Sequence, residues 1–125
     1  MEDIKKYFSY AIIFLSLNFL SITQVLSADC GEVSSSTTIS EGCTDLEISG
    51  SNTHVTIKDG VTIDNTSYAV TFDNTTNATL TNNGTIETTA SGANAIGVGG
   101  SDISILTNTG TITADGATAI RQGGT

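Results

Sequence analysis

Beyond its first thirty or so residues, this chain carries its apolar residues in ones and twos, set between threonines and asparagines. The segment TNNGTIETTASGANAI (81–96) shows the pattern, and TNTGTITADGATAI (107–120) nearly repeats it. Single Ile, Val and Leu residues flanked by Thr suit short, half-buried strands, because β-branched side chains fit a pleated surface and alternation turns the apolar one inward. Gly and Asn punctuate the pattern, and the chain contains no proline. Such punctuation separates strands by turns. The pattern predicts strands over 46–49, 54–57, 61–63, 68–72, 78–81, 85–88, 94–98, 103–107, 111–113 and 118–121.

The two quoted segments align with Leu80 on Leu106, Gly84 on Gly110 and Ile86 on Ile112, a step of 26 residues. Their second halves align at a step of 24, with Ile96 on Ile120 and GVGGS (97–101) on RQGGT (121–125). The first copy therefore holds two extra residues, placed around Glu87 to Thr89. A fainter copy, KDGVTIDNTSYAV (58–70), precedes them with Gly60, Ile63 and Ala69-Val70 at matching places. A period in the twenties marks a solenoid. Leucine-rich repeats need more leucine than these units hold, and helical repeats need longer helix-forming runs. About three short strands per period predicts an all-β fold, a parallel β-helix with coils of 24–26 residues over 46–125.

A solenoid also accounts for the composition. More than half of the residues from Asp29 onward are Thr, Ser, Asn or Gly, too polar to enclose a wide globular core. A narrow stack needs only one or two apolar side chains per strand. The expected core positions are Leu80, Ile86, Ile96, Leu106, Ile112 and Ile120. Asn82 and Asn108 fall at matching turns, where stacked side-chain amides can bond to each other and left-handed backbone is tolerated. Gly84 and Gly110 beside them are expected to take positive φ.

The N-terminus has a different character. Lys5 and Lys6 precede a charge-free stretch, Tyr7 to Ala28, whose first part is strongly apolar and whose end is small and more polar. This is the layout of a secretory signal peptide over residues 1–28, with cleavage after Ser27 or Ala28. A membrane anchor would need the same stretch to cross a bilayer despite its serines, Asn18 and Gln24. Asp29 before Cys30 is unlike the small residue that lipid attachment requires. With export expected, the only two cysteines, Cys30 and Cys43, are expected to form a disulfide. Residues 29–45 are then the N-terminal cap that a solenoid needs to protect its strand edges.

Charge and chemistry narrow the function. The net charge is −9, and after Ala28 the only basic side chains are Lys58 and Arg121. Nothing is there to neutralise phosphates, so no nucleic-acid partner is expected. No cofactor or metal is expected either: His54 is distant from the cysteines, and the calcium-like run GVGGSDISI (97–105) occurs once. Asp59, Asp64 and Asp73 occupy unmatched positions and are expected to be solvated turn acids rather than catalytic groups. No serine stands in a nucleophile-elbow context for His54. The sequence therefore points away from an enzyme.

The units of the form L-T-N-x-G-T-I with a later A-I, over Val55 to Thr125, together with the leader and the acidity, resemble the start of a bacterial autotransporter (type V secretion) adhesin-like passenger. Exoproteins of two-partner secretion look similar. The resemblance implies a right-handed β-helix at the cell surface, exported through a C-terminal outer-membrane barrel. On that view the chain is the N-terminal part of a longer protein, with glycans or host and abiotic surfaces as partners. Passengers of this family have few cysteines, so the Cys30/Cys43 pair departs from the pattern. Two alternatives remain: the N-terminal part of a β-helical carbohydrate-active enzyme, or a free-standing secreted surface-binding solenoid.

Overall fold

The computed structural model describes residues 28–99 and 103–123. The expected leader, apart from Ala28, lies outside the described residues, as does part of the calcium-like run. Among the described residues there are twelve strands and no helix. In chain order these are β1 (Ala28–Val33), β2 (Thr37–Ile39), β3 (Cys43–Ser51), β4 (His54–Ile57), β5 (Thr62–Asn65), β6 (Val70–Thr76), β7 (Ala78–Asn82), β8 (Thr85–Thr88), β9 (Ile96–Gly99), β10 (Ile103–Asn108), β11 (Thr111–Ala114) and β12 (Ile120–Gln122). Every pairing between them is parallel. The chain is a parallel β-solenoid.

Each full coil contributes one strand to each of three faces. The first face stacks β2, β4, β7 and β10. The second stacks the start of β3 with β5, β8 and β11, and the third stacks the rest of β3 with β6, β9 and β12. Strand β3 serves two faces because it bends at Asp45, which takes a left-handed φ of 52°. Aspartate tolerates this region through its short side chain. The step between coils is 26 residues at Leu80–Leu106 and Ile86–Ile112, and 24 at Ile96–Ile120. It shortens to 23 at Ile63–Ile86 and to 18 at Thr37–Val55. Loop length changes from coil to coil, while the inward columns stay in register.

Those columns form the core. Cys43, Ile63, Ile86 and Ile112 line up on the second face, and Leu46, Val70, Ile96 and Ile120 on the third. Leu46, Ile63, Leu80, Ile86 and Ile96 are fully buried, and Phe72 is the largest buried side chain. Full burial of each such side chain is worth about 1.5–3 kcal/mol. Burial falls away in the coil of β10 to β12. There Leu106 and Ile112 are partly buried and Ile120 is 38% exposed, because described residues cover them on one side only.

Residues 29–45 are continuous with the stack. Strand β1 pairs with β3 over both of its faces, and β2 pairs with β4. Cys30 and Cys43 are joined by a disulfide with a Cα–Cα distance of 5.3 Å. It ties this first turn to the inward column that Cys43 heads.

One expectation about the turns, positive φ at two glycines, is corrected. Gly84 and Gly110 do not take positive φ; the left-handed glycines are Gly31, Gly50, Gly60, Gly92 and Gly116. Asn82 and Asn108 are not left-handed either, whereas Asn52, Asn74 and Asn77 are. The two extra residues of the earlier copy fall after Thr88, since Thr88 still pairs with Ala114. They widen the loop between β8 and β9, where Gly92 N donates to Asp115 O at 3.0 Å.

Candidate binding surface

Strand alternation turns the polar residues outward, and parallel stacking places them in columns about 4.8 Å apart from coil to coil. On the first face Thr38, Thr56, Thr81 and Thr107 form one such column. On the second, Thr62, Thr85 and Thr111 form another, beside Thr44, Asp64, Glu87 and Thr113. Asp64 thus lies in a strand and not in a turn, and so does Asp73, in β6. Asp59 is in the exposed turn after β4, and His54 is exposed in β4.

The corner between the first and second faces is built by the expected asparagine pair. Asn82 is fully buried, in the inward position that Ile57 holds one coil earlier. Its Nδ2 donates to Asn108 Oδ1 at 2.8 Å and to Thr111 O at 3.1 Å. Its Oδ1 accepts from Gly84 N at 3.2 Å. Asn108 Nδ2 donates in turn to Gly110 O at 3.1 Å. A buried amide so satisfied adds direction to the stack without leaving an orphaned polar group. A second asparagine pair, which the sequence did not single out, stands at the corner between the third and first faces. There Asn77 Nδ2 donates to Asn52 Oδ1 at 3.5 Å.

Gly84 and Gly110 are needed for close approach of one coil to the next. A Cβ on Gly84 would lie 2.6 Å from Lys58 O and closer still to Val61 O. One on Gly110 would lie 2.8 Å from Asn83 C and closer still to Gly84 O. The corners touch backbone to backbone, as Thr111 N donating to Gly84 O at 2.9 Å shows.

The third face differs from the others. Its outward columns run Glu47, Thr71, Gly97, Arg121 and, alongside, Ser49, Asp73, Gly99. Where the upper coils carry side chains, β9 carries two glycines. The result is a trough of about 400 Å³ lined by Glu47, Tyr68, Thr71, Asp73, Gly99 and Arg121 among others. The Tyr68 ring lies over the Gly97 backbone, where a Cβ would stand 2.6 Å from its Cδ1. A Cβ on Gly99 would meet none of the described residues within 4 Å. Arg121 Nη1 donates to the Tyr68 hydroxyl at 3.4 Å. The trough thus brings together an aromatic ring, two carboxylates and a guanidinium.

Sequence reasoning placed Gly97 opposite Arg121 by aligning GVGGS on RQGGT. It missed the trough, because Glu47 and Tyr68 enter from coils whose loops have other lengths. Among the described residues no group of three or more His, Cys, Asp and Glu side chains is arranged to hold a metal ion. Comparison of the chain with family models, with curated proteins and with solved structures finds no match.

Proposed function

We propose that this chain is a secreted or cell-surface β-solenoid passenger segment with an adhesin-like or structural role and no chemistry of its own. The observation that carries this reading is the unbroken outward column Thr38, Thr56, Thr81, Thr107 on a parallel stack. Regularly spaced hydroxyls on a rigid face make an extended surface that can hydrogen-bond to another extended surface, and the concave or flat sides of solenoids serve this use. The acidity favours a solvated, self-repelling exterior. The leader, with Lys5 and Lys6 ahead of the charge-free stretch Tyr7 to Ala28, and the similarity of the L-T-N-x-G-T-I units to autotransporter passengers support export.

The test is surface display. Antibody raised against the folded chain should label intact source cells, and protease added to those cells should remove the signal. Beads coated with the chain should adhere to cells or to inert surfaces. Confinement of the chain to the cytosolic fraction would overturn the proposal. One observation favours a second reading, a β-helical carbohydrate-active enzyme: Glu47 and Asp73 line the same trough, and glycoside cleavage uses paired carboxylates. Release of new reducing ends from polysaccharides, abolished by Glu47→Gln or Asp73→Asn, would establish that reading instead.

A further inference from the structure

The geometry points to a ligand class for the trough on the third face: we propose that it binds an uncharged hexopyranose unit of a glycan. This rests on the reading of the chain as a surface-binding solenoid and names what one part of that surface takes.

The Tyr68 ring is held from below by the Gly97 backbone and at its hydroxyl by Arg121. It is half-buried and lines the trough. A pinned aromatic ring offers an apolar face at little entropic cost, and the C–H face of a pyranose is its natural complement. Gly97 and Gly99 both lack positive φ, so turn geometry does not call for them. Gly97 leaves room for the ring, and Gly99 leaves the floor open. The volume, about 400 Å³, falls within the range of roughly 300–1,000 Å³ typical of small-ligand sites.

The walls select among ligands. Glu47 and Asp73 offer acceptors and Arg121 offers planar paired donors. A pair of neighbouring sugar hydroxyls can donate to the first and accept from the second. A uronic acid or other anion would face both carboxylates and a chain of net charge −9, which opposes it. An extended peptide recognised through its main chain needs an open strand edge. The trough lies on a sheet face, where the backbone of β6 and β9 is already paired on both sides.

The experiment uses the purified full chain and saturation-transfer NMR with the methyl glycosides of glucose, galactose and mannose, and with methyl glucuronide. At least one neutral glycoside should bind and the glucuronide should bind more weakly. Tyr68→Ala should lower affinity at least about tenfold, equivalent to about 1.4 kcal/mol. Gly99→Gln, which fills the floor without touching the core, should do the same, and both variants should keep the wild-type circular-dichroism spectrum. Absence of binding by all neutral glycosides, binding indifferent to both substitutions, or equal binding of the glucuronide would overturn the proposal. If coated beads still adhere to surfaces after Tyr68→Ala and Gly99→Gln, and no glycoside binds, the trough assignment fails while the surface role stands. If the chain proves cytosolic yet a neutral glycoside binds through Tyr68, the surface role fails and the trough assignment stands.

Discussion

Asn82 and Asn108 are joined side chain to side chain, Nδ2 to Oδ1 at 2.8 Å, across one coil of the solenoid. The two are unequal. Asn82 is wholly buried and also serves Thr111 O and Gly84 N, whereas Asn108 is exposed. Asn82→Ala leaves two backbone groups without their side-chain partner and should cost about 2–3 kcal/mol. Asn108→Ala should cost about 1 kcal/mol or less. Urea unfolding midpoints of the two variants, at unchanged slope, measure the difference.

The glycines divide by mechanism, and alanine substitution should separate them. Gly84→Ala and Gly110→Ala drive a Cβ into the backbone of the preceding coil, which should cost at least the ~1–3 kcal/mol of ordinary overpacking. Gly60→Ala meets open space and a φ of 76°, so its cost should be limited to the ~1–2 kcal/mol of left-handed backbone. Thermal melts should rank Gly84→Ala and Gly110→Ala below Gly60→Ala, and the reverse order would refute the close-approach account.

Thr88 is 3% exposed and its Oγ1 is buried without a hydrogen-bond partner among the described residues. Valine has the same shape and no hydroxyl to desolvate. Thr88→Val should raise stability by about 1 kcal/mol, read as a higher midpoint in urea. A lower midpoint would mean that the hydroxyl has a partner, such as a buried water.

The disulfide closes a short loop, with a sequence separation of 13, and anchors β1 to β3. Restricting the unfolded chain over such a loop contributes about 3 kcal/mol. Paired Cys30→Ala and Cys43→Ala substitutions, or reduction, should lower the unfolding midpoint by that order. Hydrogen exchange should rise first in Ala28–Ile39, with β7 and β8 still protected.

Much of the architecture was readable along the chain. All ten expected strands have a counterpart within a few residues, and those at 54–57 and 85–88 match β4 and β8 end to end. The 26- and 24-residue steps reappear as the pairings Leu80–Leu106, Ile86–Ile112 and Ile96–Ile120. The strands β1 and β2 were hidden in the polar stretch 29–45, since their coil is shorter than those after it and supplies no matching period.

What the sequence determined by itself is the solenoid and the content of its columns. Stacked coils repeat one local environment, so most inward positions hold a similar residue in successive copies, Asn82 below Ile57 being an exception, and such repetition can be read without coordinates. Backbone conformation and the meeting of distant residues were decided only in three dimensions. Gly84 is glycine because Lys58 O and Val61 O of another coil press on it, and nothing local distinguishes that from a turn. Glu47, Tyr68 and Arg121 share one trough because loops of unequal length cancel in the stack. That register follows from packing the whole solenoid, and no single unit carries it.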